Sequence, residues 1–272
     1  MLFLGIAIGC MSLAAIFRAT SSGASASAHL DAVVHDPVNI LLAQLAATLI
    51  SLSIGFRWLA IVDFKDALAI RSVSLREITL AAILGMGLQF PLTELTNLLY
   101  SWFPVSVEDQ VAYQQLLHPK HWLIGSITAL AIVGVAPVGE ELLFRGLIFR
   151  GLIPSYRPFG ATLISASLFG LAHMGPTRFI YATLVGIVLA MVLYRTASII
   201  PAITAHAAFN AVPLLLPSTL IRIPGFNIVS AEIEHVPWLL VVTSSILFAV
   251  AFFFLVRYPT QHHVLEKSMS QE

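Results

Sequence analysis

Three short stretches place ionisable and amide side chains inside long apolar runs: EELLFR at 140–145, FGLAH at 169–173 and HAAFN at 206–210. In the first, Glu141 and Arg145 are four residues apart. On a helix they share a face with the acid N-terminal, the favourable order, and can neutralise each other. Glu140 points about 100° away and has no obvious local partner. Phe169 and His173 also share a helix face, as do His206 and Asn210. A carboxylate in a low-dielectric site can serve as a general base on water. A histidine or asparagine beside it can donate hydrogen bonds to a developing oxyanion. Glu140, His173, His206 and Asn210 together suit hydrolysis of a peptide bond with water as nucleophile. Two histidines and a glutamate (Glu140, His173, His206) would also suit a zinc ion with one open position. The chain has no H-E-x-x-H stretch, which leans the reading away from metal.

The elements that must carry these groups are set by composition. Of 272 residues 58% are hydrophobic and only 10% charged, against about 25% charged in a soluble domain. The chain therefore reads as an all-α, polytopic membrane protein. Crossing a bilayer takes about 20 apolar residues. Runs of suitable character lie near 2–18, 38–61, 78–101, 122–152, 159–174, 177–195, 199–216 and 236–257. About eight transmembrane helices with a buried polar site are expected. The fourth run is too long for one simple crossing and contains Pro137, which removes a backbone hydrogen bond. The fifth and seventh are short, so their ends should lie within protein rather than lipid. The connections after the fifth and sixth are so short that these helices must be antiparallel neighbours. The start, Met1–Phe17, lacks the basic residues of a signal peptide and reads as a first membrane helix.

Lysine and arginine are unevenly shared between the two sides of this arrangement. Lys65, Arg71, Arg76, Arg150, Arg157, Arg195, Arg257 and Lys267 fall on one, with Arg57 at its edge; Arg18, Lys120, Arg178 and Arg222 fall on the other. The richer side is expected to be cytoplasmic, with both termini on it. Trp58, Trp102, Trp122 and Trp238 fall near span ends, as an interfacial belt would. Net charge is zero and the single cysteine, Cys10, excludes an internal disulfide. Nothing in the charge balance calls for nucleic acid. Counted from the cytoplasmic ends, Glu140, His206 and His173 lie roughly 11–14 residues deep, about 16–21 Å. That is near the middle of a core about 30 Å thick.

Each motif has a plainer reading. Glu141 with Arg145 could be a structural ion pair, His173 an interfacial histidine before Gly175-Pro176, and His206 with Asn210 interhelical glue. Phe169 reads first as packing. Glu94, on a polar face with Gln89, Thr93 and Asn97, reads as a helix end dipping into the interface or as a cavity wall. The stretch 106–122 reads as a surface helix or a gate, and the tail bearing His262 and His263 as solvated.

In order, spacing and membrane setting the three stretches resemble the E-E-x-x-x-R, F-x-x-x-H and H-x-x-x-N motifs of the CPBP family, the CAAX proteases and bacteriocin-processing enzymes also called Abi. The resemblance covers about 122–216, which it marks as a catalytic core between N-terminal transmembrane helices (1–121) and a last helix with its tail (217–272). It implies an intramembrane endopeptidase in which Glu140 activates water and His173, His206 and Asn210 complete the site. Glu141 and Arg145 would orient and stabilise it. It further implies a membrane-anchored protein or peptide as substrate, in the lipid bilayer of a bacterial inner membrane. Maturation or sorting is favoured over CAAX-type cleavage. Rival readings are a proton-coupled transporter, disfavoured because no internal repeat is visible, and a non-catalytic scaffold or immunity protein.

Overall fold

The structure is a computed structural model that describes residues 37–59, 64–173 and 175–257. The run 2–18, Cys10 and the tail histidines lie outside the described residues. Among the described residues there is no strand. The helices are α1 (Pro37–Leu59), the single turn α2 (Phe64–Ala67), α3 (Leu75–Leu99), α4 (Val107–Leu117), α5 (Trp122–Ala172), α6 (Pro176–Thr196), α7 (Ile199–Leu215) and α8 (Trp238–Arg257). Four of them, α3, α5, α6 and α8, are long and apolar enough to cross a membrane, and α7 is shorter but apolar.

Helix α3 stands at the centre, and its ends are written in its sequence. Ser74 accepts the Glu77 N–H at 3.3 Å while Glu77 accepts the Ser74 N–H at 2.8 Å, a reciprocal cap that satisfies two orphan donors. Gly85 and Gly87 then let α7 and α8 reach its backbone. A Cβ on Gly85 would lie 2.0 Å from the Ala205 carbonyl oxygen, and one on Gly87 would lie 2.7 Å from the Phe248 nitrogen. Ser244 of α8 donates to the Gly87 carbonyl at 2.7 Å. In lipid no hydrophobic drive pulls helices together, so close backbone approach and such hydrogen bonds must do so. Gly85→Ala should therefore destabilise the protein by about 1–3 kcal/mol, the usual cost of overpacking. Thermal unfolding in detergent reads this directly; an unchanged midpoint would show that α7 can move aside.

The fourth and fifth apolar runs form a continuous helical stretch of 51 residues, α5, divided into two arms by a kink. Its backbone is regular over Trp122–Ala129, Ala136–Glu141 and Arg150–Ala172, and wide, with π-type turns, over Leu130–Val135 and Leu142–Phe149. It breaks at Arg157, which has φ 55° and ψ 166°. Pro158 disfavours the helical conformation in the residue before it, which favours a break here. The two arms then pack on each other. Ser165 donates to the Phe144 carbonyl at 2.8 Å, and the Phe144 and Phe169 rings meet edge to face at 5.1 Å.

The expected short antiparallel connections follow. Gly175, at φ 85°, precedes Pro176 at the first turn of α6. At the other end Ala197 takes the left-handed conformation that usually closes a helix at glycine. Ser198 then accepts the Ile200 N–H to start α7. Phe169, Ala205 and Phe209 from these helices join Leu84 of α3 in the buried core. Large apolar side chains on α8, among them Leu239, Ile246 and Phe253, face outward. Such a surface suits hydrocarbon rather than water.

The chain between α7 and α8 folds back over the end of α3. Asn227 accepts the Ile223 N–H and donates to the carbonyls of Leu216 and Ile221. Glu94 holds this loop: one oxygen lies 2.7 Å from His235 Nδ1 and the other accepts the Val236 N–H at 2.8 Å. Asn97 donates to the Gly225 carbonyl at 2.8 Å. Glu94 is thus a loop anchor. The stretch after α3 forms α4, which Gln110 ties to both backbone groups of Ser230.

Candidate active site

Glu140 and Glu141 sit at the end of the six-residue regular piece of α5, between its two wide stretches. π-type turns inside α-helices are rare and concentrate at functional sites. Gly139 lies against α1, where a Cβ would come 2.1 Å from Thr48 Oγ1.

Glu141 is fully buried and is the hub. Its Oε1 accepts from Arg145 Nη1 at 3.0 Å, the i,i+4 pair expected from spacing. The same oxygen lies 2.8 Å from His206 Nδ1 on α7. A carboxylate accepts, so the imidazole directs its Nδ1–H at Glu141 and leaves Nε2 facing the other way. There Nε2 is 3.8 Å from Glu140 Oε2, beyond hydrogen-bond reach. His206 is thus bracketed by both glutamates, one orienting it and one confronting it. The two acids differ in access: the Glu141 side chain is 0% exposed and that of Glu140 is 12% exposed.

Arg145, also fully buried, is held at three points. Besides Glu141 it donates from Nη2 to the Gly186 carbonyl at 3.2 Å and lies 4.3 Å from the Phe169 ring centre. The aromatic face attracts the cation, and more strongly out of water. A lone charge at the bilayer centre costs about 2.5–3.5 kcal/mol, and here two opposite charges enter as a pair joined by one hydrogen bond, while Arg145 Nε and Glu141 Oε2 have no hydrogen-bond partner.

Phe169 does more than fill space. Its ring meets His173 at 4.6 Å, His206 at 5.8 Å and Phe144 at 5.1 Å, so it sets the spacing between both histidines and the guanidinium. Its carbonyl lies 2.8 Å from His173 Nδ1. The carbonyl only accepts, so this contact places the His173 proton on Nδ1 and leaves Nε2 as its basic nitrogen. Asn210, one turn beyond His206, donates from Nδ2 to the Ile132 carbonyl at 2.9 Å. The three sequence stretches are thereby brought together. Glu140, Glu141, Arg145, Phe169, His173 and His206 share contacts, and Asn210 bridges to the first wide stretch of α5.

Gly186 was not visible as a site residue from the motifs. A Cβ there would lie 3.0 Å from the Ala166 Cα and 3.3 Å from Arg145 Nη2. The available signal was the spacing of Ala182, Gly186 and Ala190, a small-residue stripe of the kind that lets helices touch. The donor set for zinc is not assembled: among the described residues no three of the His, Cys, Asp and Glu side chains are grouped to hold a metal ion.

Residues 122–212 match the family described as Rce1-like: Type II CAAX prenyl endopeptidase Rce1-like. The match covers about a third of the chain and contains all three motif stretches. It agrees with the family that those stretches resemble. No curated protein and no solved structure matches the chain.

Proposed function

We propose, from the Rce1-like character of residues 122–212, that this chain is an intramembrane endopeptidase whose general base is Glu140. The observation that carries the reading is the bracketing of His206 by two glutamates with unequal access to the site. The fully buried Glu141 is occupied by Arg145 and His206. Glu140 reaches the open side, where a water and a peptide carbonyl would sit. Glu140, with His173 Nε2 as a second acceptor, draws a proton from water as its oxygen bonds to the carbonyl carbon. The second Nδ2 hydrogen of Asn210 faces the resulting oxyanion. The proton then passes to the amide nitrogen, the carbon–nitrogen bond breaks, and acid and amine leave. Phe169, Glu141 and Arg145 hold these groups without taking part in proton transfer.

The substrate is a membrane-anchored protein or peptide, and 122–216 is the catalytic core. Eight helices with both termini cytoplasmic, in a bacterial inner membrane, complete the proposal. Maturation or sorting of an anchored segment is favoured over CAAX-type cleavage. The test is hydrolysis by the purified protein in liposomes of a panel of lipid- and helix-anchored peptides, read by mass spectrometry. A single discrete cut in one peptide class is the expected result. Intact peptides across the whole panel would sink the endopeptidase reading.

A further inference from the structure

The first wide stretch of α5 ends for a chemical reason. Over Leu130–Val135 the backbone bonds reach back five residues, and the Ala136 N–H is directed to the Ala131 carbonyl. The next bond in that register would run from residue 137 to the Ile132 carbonyl. Residue 137 is proline and has no N–H to give. In the ordinary register the donor would be Ala136, whose N–H is already directed to Ala131. The helix itself therefore offers the Ile132 carbonyl no regular donor, and in a low-dielectric interior an unmet carbonyl is costly. The partner it has is the side-chain amide of Asn210 at 2.9 Å.

We infer that Pro137 is a positioning residue: by withholding a donor from the Ile132 carbonyl it reserves that oxygen for Asn210, and so fixes the direction of the asparagine amide. A carbonyl accepts only, so Asn210 must present its NH2 group and turn its Oδ1 away. One Nδ2 hydrogen is used on Ile132, and the other is then held at a set angle on the same side as His206, one helical turn away. The wide stretch and the proline act together. Without the wide turn Ala136 would meet the Ile132 carbonyl; without the proline, residue 137 would. In this way a backbone defect in α5 sets a side chain on α7. The idea rests on the proposed use of Asn210 toward an oxyanion, but the contact it concerns can be tested apart from that use.

The variant is Pro137→Ala, which supplies the missing N–H. Alanine is the better helix former, so the protein should fold and unfold at an equal or higher temperature. On a peptide that the wild type cuts, kcat should nonetheless fall about tenfold to a hundredfold, up to the effect of losing one oxyanion donor, with KM nearly unchanged. Higher stability with lower turnover is an outcome that a merely structural proline would not give. In an Asn210→Ala background the same Pro137→Ala change should cost no further activity, because the group it acts through is gone. An ester in place of the amide at position 137, which again has no N–H, should restore turnover. Unfolding supplies the arm that needs no substrate: Asn210→Ala should lower the midpoint of the wild type more than that of Pro137→Ala. Equal factors in both backgrounds, a loss carried by KM, or equal midpoint shifts would overturn the inference. A Glu140→Gln protein that still cleaves would instead sink the proposed base and leave this coupling standing.

Discussion

Glu140→Gln is expected to leave the protein in the membrane at wild-type abundance and to abolish the proposed cleavage of an anchored peptide. Glutamine keeps the shape and deletes the charge. The Glu140 side chain is 12% exposed, and His206 Nε2 lies 3.8 Å from its Oε2. Glutamine has nearly the same volume, and a neutral group in lipid avoids a cost of about 2.5–3.5 kcal/mol, so the variant is expected to fold. The reaction loses its proton acceptor, a factor of about 10²–10⁴. Single-turnover hydrolysis in liposomes, with protein amount fixed by blotting and unfolding midpoint checked, makes the measurement. Turnover within tenfold of wild type would mean that another group is the base. The neighbouring change separates the two acids. Glu141→Gln should lower both turnover and midpoint, because that carboxylate holds Arg145 and His206 at once.

Arg145→Ala is expected to have the largest effect on stability of any single change in the site. It strips Glu141 of its cationic partner in a place with no exposure to solvent. Breaking a buried pair from one side costs about 3–5 kcal/mol, since the remaining charge is left uncompensated. Typical total stability is about 5–15 kcal/mol, so much of the fold's margin disappears. The hydrogen bond to the Gly186 carbonyl and the contact with the Phe169 ring go with it. Low abundance and a strongly lowered midpoint are expected. The double variant Glu141→Gln with Arg145→Met removes both charges and should recover abundance, because a neutral pair of similar volume avoids the unpaired charge. It should not recover cleavage, since His206 loses its carboxylate orienter. Recovery of full turnover in the double variant would show that the pair serves the fold alone.

Spacing made much of this legible. Side chains four apart on a helix meet whatever the rest of the chain does, so Glu141–Arg145 could be read from sequence, as could the shared faces of Phe169 with His173 and of His206 with Asn210. Short turns made neighbours of α5, α6 and α7. What spacing could not give is the rotation of one helix against another. The contact of Glu141 with His206 Nδ1 depends on where α7 stops against Gly85, and that is a matter of packing across 120 residues of chain. The wide turns of α5 were equally hidden, because no propensity scale marks them; only Pro137 hinted that the ladder was interrupted. Glu94 shows the reverse case. It looked like a charge near the site or an interface, and it anchors a loop whose partner, His235, is 141 residues away.

The distribution of the site along α5, α6 and α7 has a consequence for when the protein becomes chemically competent. A growing chain makes both glutamates and Arg145 first, folds back at Arg157 to bring Phe169 and His173, and makes His206 and Asn210 only after α6 has been completed. Until α7 enters, Glu141 has no imidazole to aim and the Ile132 carbonyl lacks the amide of Asn210. A ribosome-bound fragment that stops short of α7 therefore carries the proposed base without the groups that would direct it. Under the proposed mechanism, hydrolysis would begin only once α7 docks against Gly85, so the order of the motifs would act as a timer on the activity.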